Sequence, residues 1–293
     1  MSALRLSSSV GKGGRNNVND VHLVIALINV YHRKNGLKPL PMSDKNNAKV
    51  NEAITHFQSN HLQTANPDGR IDPNGKSFKA LKRVLDSVFT KETVTPPTSG
   101  VVTWDSEGTE GGRFHSRKLH VPSSASGLTV GRGYDLKLKS AAQVKMDLTR
   151  AKLEQAHIDV LAKAVGLSGS RAERFIVDND LLDFQVTPQA QLTLFNISYE
   201  LESSEVIRIS SKKDVINLYG ELLWDTTHYG IKDILVDLKF RGDYTPAARR
   251  FIQEPAASND LESFKKLISD QTRWKQVPAD RFSRRSKFIN NVK

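Results

Sequence analysis

The chain has 293 residues, 38% hydrophobic and 26% charged, a balance that suits a folded protein and excludes a disordered one. It has no cysteine, which excludes disulfides, thiol catalysis and thiolate metal sites, and no stretch approaches the roughly 18 apolar residues of a membrane helix. The formal charge of +11 calls for an acidic partner such as nucleic acid, an anionic membrane or a wall polymer, and residues 1–95 hold most of the excess, 14 Lys/Arg against 7 Asp/Glu.

The start, MSALRLSSSVGKGGRNN, lacks the apolar core of a secretory signal, so synthesis in the cytoplasm is expected and any export takes another route. A first helix is predicted over residues 18–31, where Val21, Val24, Ile25, Ile28 and Tyr31 follow helical spacing and Asn19 or Asp20 can cap. A second covers about 47–61, with Val50, Ile54 and Phe57 on one face. A third covers about 77–89, with Phe78, Leu81, Val84, Leu85 and Val88. Pro67-Asp68-Gly69 and Asp72-Pro73-Asn74-Gly75 are turn sequences between them. KETVTPPTSGVV, residues 91–102, breaks the pattern and reads as a linker.

Beyond it, only 119–121 and 128–130 suggest strands. Helical patterns follow at about 140–165, 171–180, 188–203, 211–222, 228–240, 245–253, 260–270 and 280–290, and Thr187-Pro188 and Thr245-Pro246 look like capped starts. The basic tail, RFSRRSKFINNVK, reads as an amphipathic helix closing the domain. The expected fold is mainly α with one small β-hairpin region. The expected division is a three-helix module at 1–90, a linker at 91–102 and a second domain at 103–293.

Residues 106–136 crowd carboxylates, cations and glycines into a segment with little helical pattern, the composition of a loop that displays chemistry. Glycoside hydrolysis needs one carboxyl to protonate the leaving oxygen and a second group to hold water or stabilise charge. Glu107, after Trp104 and before Gly108, suits the acid, held at a helix end and raised in pKa by apolar surroundings. Glu110 is the alternative acid. The run Ser126 to Leu136 places three glycines where a tight hairpin approaches a ligand. Arg132, between two of them, reads as a contact to a ligand carboxyl, as the partner of a catalytic carboxylate, or as a solvated hairpin cation.

His115 and His120 lack the spacing and third ligand of a metal site, so no metal is expected. Ser116, His120 and Asp135 lack the elbow of a serine hydrolase. On the helix over 188–203, the apolar residues suit the core, while Gln191 and the exposed side of Asn196 offer amides to sugar hydroxyls. Asp135 has a plain alternative as a helix cap, and Thr129 as an ordinary strand residue.

Two resemblances follow. VNDVHLVIALINVYHRKNG, NEAITHFQSNHL and PDGRIDPNGKSFKAL, with Phe57-Gln58 ahead of Asp68-Gly69-Arg70-Ile71-Asp72-Pro73, resemble the peptidoglycan-binding helical module of cell-wall hydrolases over about residues 10–88. SEG, HSR, HVP and SGLTVGRGYDL resemble the active-site segment of muramidases of the phage-lysozyme and pesticin-like superfamily over 105–136, and more loosely onward through 189–196 and 236–246. That resemblance implies an α+β lysozyme-like domain with Glu107 as general acid, Thr129 orienting a water and Asp135 as base or electrostatic stabiliser. Arg132, Tyr134, His120, Gln191 and Asn196 would line the substrate. The chain departs from the phage lysozymes in having no carboxylate ahead of the threonine, and Asp135, six residues after it, fits the pesticin-like arrangement.

The implied activity is metal-free and cofactor-free hydrolysis, with inversion, of the β-1,4 bond between N-acetylmuramic acid and N-acetylglucosamine. The expected partner is peptidoglycan, not nucleic acid, and the protein is expected to be a monomer with no integral membrane segment. It would act in the periplasm of a target or host bacterium. It reads as a type VI secretion effector with a cognate immunity protein. The alternatives are a phage endolysin of the same activity and a non-catalytic wall-binding protein on the same scaffold.

Overall fold

The computed structural model describes residues 4–112 and 114–293, so the first three residues of the start and Arg113 of the glycine-rich segment lie outside the described residues. In chain order the elements are β1 (Val10–Gly11), α1 (Val18–Lys34), α2 (Ala48–Asn60), β2 (Arg70–Ile71), α3 (Lys76–Ser87), α4 (Val101–Glu107), β3 (Thr129–Val130), β4 (Tyr134–Asp135), α5 (Ala141–Arg150), α6 (Gln155–Leu161), α7 (Gly169–Asp178), α8 (Pro188–Ser210), α9 (Lys213–Tyr219), α10 (Tyr229–Arg241), α11 (Pro246–Ala257), α12 (Leu261–Ile268) and α13 (Ala279–Asn291). The fold is mainly α with two small antiparallel two-stranded sheets, β1–β2 joined across α1 and α2 and β3–β4 a hairpin. No helix among the described residues is long and apolar enough to cross a membrane.

Two compact units divide the chain, one of residues 1–93 and 109–191, the other of 94–108 and 192–293. The expected break at 91–102 lacks regular structure as far as Gly100, but Val101 and Val102 belong to α4. The contact units therefore do not follow the expected division at 90 and 103.

In the first unit α1 is apolar on nearly every side, with Val21, Val24, Ile25, Ala26, Leu27 and Ile28 inaccessible to solvent. Such a helix must be covered all round, and α2, α3 and α7 pack on it. Neither expected cap closes its start. Asp20 instead accepts the N–H and hydroxyl groups of Ser7 and Ser8, and these bonds outweigh the upward push of burial and hold its pKa below the ordinary carboxylate range. At its far end Arg33 bridges Asp180 and Asp183, each at 2.7 Å, and Asn29 joins Leu40 to Asp180.

The Phe57-Gln58 and Asp68-Gly69 motifs come together as structure. Gln58, 5% exposed, reaches Asp68, the Arg70 carbonyl and Ser77 with its amide nitrogen, while its oxygen accepts the Gly69 N–H. That fixes the turn from which β2 pairs with β1, Val10 facing Ile71. Gly11 cannot carry a side chain here, because a Cβ would sit 2.2 Å from the Gly69 carbonyl oxygen.

The expected helix over 140–165 is two helices, broken where Lys152 takes a left-handed φ of 58°. The expected strand over 119–121 is reduced to a single bridge between His120 and Thr129.

The second unit is built around α10, whose Ile231, Ile234, Leu235, Val236 and Leu238 are fully buried against Ile252, Phe264 and Ile289. Thr245 caps α11 through the Ala248 N–H, with Pro246 in its first turn. Arg241-Gly242-Asp243 is the structural turn after α10, Gly242 left-handed and Asp243 paired with Arg241.

Replacing Gln58 with alanine removes four hydrogen bonds, two of them buried, and leaves the Gly69 N–H without its acceptor, so Gln58→Ala should cost roughly 2 kcal/mol of stability, read from the shift of a urea unfolding midpoint.

Candidate active site

Glu107 is the last residue of α4, a seven-residue helix too short to hold its place by itself. Three anchors of the second unit hold it. The Gly100 N–H donates to Asp233 at 3.0 Å, and a Cβ on Gly100 would fall 2.5 Å from the Tyr199 ring. Trp104 sets its edge against Phe195, with ring centroids 5.1 Å apart. Arg281 of α13 donates to Glu107 Oε1 at 2.5 Å.

Arg281 belongs to a buried chain of charges. It pairs with Asp237, which is fully buried and also takes Arg285, and Arg285 in turn pairs with Asp243. Burial works against the charge of Arg281, but Asp237 and Glu107 outweigh it and raise its pKa, so the guanidinium stays cationic. A cation, itself drawn in by Asp237, therefore occupies one side of Glu107, where apolar surroundings were expected. The side chain is 23% exposed, and its Oε2 accepts no hydrogen bond among the described residues.

Thr129, Asp135 and His120 gather in the first unit. Register places Thr129 opposite Asp135 and Val130 opposite Tyr134, with Arg132 in the turn between left-handed Gly131 and Gly133. The Asp135 carboxylate accepts the Gly127 N–H at 3.0 Å and the Lys137 N–H at 2.7 Å. It comes so close to residue 127 that a Cβ there would lie 2.2 Å from its Oδ1. Asp135 is not the cap of α5, since Ser140 holds that position. Thr129 is 2% exposed, its hydroxyl 3.4 Å from the Gly127 carbonyl, and its backbone pairs with His120 on both sides. Burial pushes the His120 pKa down, which favours the neutral imidazole.

Most of the expected substrate-lining residues serve Glu110 or the core instead. Glu110, 6% exposed, accepts from Gln191 at 3.0 Å, Ser116 at 3.1 Å and Arg117 at 2.9 Å, with Arg132 at 3.6 Å. Burial pushes its pKa up, yet the bonds from Gln191, Arg117 and Ser116 and the Arg117 charge together hold it below the ordinary value. It is thus kept ionised, the state of a structural anion and not of a proton donor. Arg132 and Gln191 are buried beside that charge, which overturns the solvated-cation reading of Arg132. Tyr134 is also buried, its hydroxyl on Asp147 at 2.6 Å.

Asn196 is exposed. His115 is buried, stacked on Phe89 and bonded to Gln185. Ser116 is occupied by Glu110, so no Ser-His-Asp relay forms. No group of three or more His, Asp or Glu among the described residues is placed to hold a metal.

A model of the DUF8812 family, described as a domain of unknown function, matches residues 100–286. The chain belongs to that family. The DUF8812 segment opens at Gly100, the anchor of α4, and ends within α13, so it takes in Glu107, the hairpin and Arg281. No curated protein matches the chain. Sequence reasoning missed Asp237, Arg281 and Arg285. The available signal was the spacing of Arg281 and Arg285, one helical turn apart in a tail that also carries Phe282, Phe288 and Ile289.

Because the folded pKa of Glu110 lies below its unfolded value of about 4.3, its contribution to stability is complete above that pH and lost as pH falls through the folded value. Glu110→Gln should therefore flatten the acid limb of stability below about pH 4.3, measured by denaturation midpoints across pH.

Proposed function

We propose that the chain is a peptidoglycan muramidase that hydrolyses the β-1,4 bond between N-acetylmuramic acid and N-acetylglucosamine. The observation that carries this reading is Glu107, the carboxyl that supplies the proton in it, set on a triply anchored helix end with one oxygen on Arg281 and the side chain 23% exposed. Glu107 gives that proton to the leaving glycosidic oxygen. The muramidase resemblance assigns the attacking water to Asp135, whose carboxylate is aimed by two backbone N–H groups of its own unit, and to Thr129. The water's oxygen bonds to the anomeric carbon, and the product ends in a reducing sugar. Neither step asks for a metal or cofactor.

The three-helix arrangement of α1, α2 and α3 supports a wall-binding role for the N-terminal residues, raising local concentration on an insoluble polymer. Delivery as a type VI effector into a periplasm, with an immunity protein to protect the producer, completes the reading; a phage endolysin of the same activity is its alternative. The neighbouring genes decide between them.

One observation favours a second reading, a wall-binding protein without activity. Thr129 is buried at 2% exposure, and Glu107 is already paired with a cation. Turbidity loss of permeabilised cells separates the two readings.

Glu107→Gln should lower muropeptide release from murein at least about 100-fold while wall binding persists, since it removes the donatable proton with little change of shape. Near-normal release by that variant would sink the assignment. Fragments from the unaltered protein should carry reducing ends; 1,6-anhydro-muramic ends would instead show a lytic transglycosylase.

A further inference from the structure

One stripe of α7 faces a cleft of about 540 Å³ in the first unit. Arg171, Arg174, Phe175 and Asp178 recur along it at spacings of three and four residues, so their side chains share one face of the helix. Leu167 and Ser170 line the start of the cleft, and Asn179 and Asn19 lie at its other end. The two arginines are not equivalent. Arg174 pairs with Asp178 at 2.7 Å, and Asp178 also meets His22 at 2.7 Å. Arg171 is exposed and makes no side-chain ion pair among the described residues. The cleft thus holds one uncompensated guanidinium, with primary amides and an apolar side formed by Leu167 and Phe175.

The start of α7 is also tied to the hairpin. Ser168 bridges Gly127, and the Gly169 N–H donates to the Ser126 carbonyl at 3.0 Å. Gly127 is the residue whose N–H holds Asp135. The loop that opens the cleft is thus tied through Gly127 to that carboxylate.

We propose that this cleft binds the carboxylate-bearing peptide stems of peptidoglycan. A guanidinium takes a carboxylate through two parallel N–H donors, and the Asn19 and Asn179 amides each offer a donor and an acceptor to peptide groups. Leu167 and Phe175 receive the small aliphatic side chains. The volume falls within the range of pockets that enclose short ligands. The choice of peptide rests on the muramidase reading, but binding itself requires no hydrolysis.

The test uses the full chain carrying Glu107→Gln, titrated calorimetrically with the free tetrapeptide L-alanine, D-isoglutamate, meso-diaminopimelate, D-alanine. A second titration uses the same peptide with every carboxylate amidated. The tetrapeptide should bind, the amidated peptide at least tenfold more weakly. Adding Arg171→Gln should weaken tetrapeptide binding at least tenfold, and Arg171→Lys should restore part of it. Because Arg171 is exposed, the variants should keep the parent's unfolding midpoint. No binding of the tetrapeptide, equal binding of its amidated form, or binding unchanged by Arg171→Gln would overturn the cleft. Tetrapeptide binding with this dependence on Arg171, in a protein whose unaltered form releases no muropeptides, would uphold the cleft and sink the hydrolase reading.

Discussion

Asp237 sits on the central helix of the second unit with no exposure to water, and a carboxylate in that position has to be neutralised where it stands. Two arginines of α13 do so, and much else in the unit follows. Arg285 is left 2% exposed and reaches onward to Asp243, which fixes the turn after α10. Arg281 uses the rest of its donors on Glu107, so the position of the candidate acid depends on a charge it does not touch. The final helix is thus a part of the site, and its basic character has a buried cause. Replacing such a network by apolar side chains is often neutral for stability, so what the charges contribute here is placement.

The first unit solves a similar problem at Glu110. Its buried charge collects Arg117, Ser116, Gln191 and Arg132, and the last of these ties the hairpin turn to the preceding loop. The glycine-rich segment, which as a sequence suggests a loop open to a ligand, owes much of its polar content to this internal pairing. Asp135 is the exception, half-buried and held by backbone donors alone.

The helical layout was legible because apolar spacing is a local property, and α1, α2, α3, α10 and α13 fall close to where the pattern puts them, while α8 starts as expected and runs on to Ser210. Local capping chemistry was legible too at Thr245-Pro246. The break at Lys152 was not, because a left-handed lysine leaves no compositional trace. The resting partners of Tyr134 and Gln191 were not legible for a different reason. Gln191 has its partner 81 residues away at Glu110, and Tyr134 finds Asp147 thirteen residues on across a hairpin and a helix start, separations that no helix or strand spacing rule reports. Glu107 was placed correctly at a helix end, while its environment depended on Arg281, 174 residues downstream.

The near-contact between residue 127 and the hairpin carboxylate has a consequence for sequence drift. With backbone and Asp135 side chain as they stand, any methyl at 127 collides with Oδ1, so only a residue without a side chain is admitted there. If the aspartate shrinks to alanine or serine, the obstruction at that atom disappears and one of the reasons for glycine disappears with it. The two positions, eight apart in the chain, are thus coupled, and a relative that has lost the acidic group at 135 is released from part of the restriction at 127.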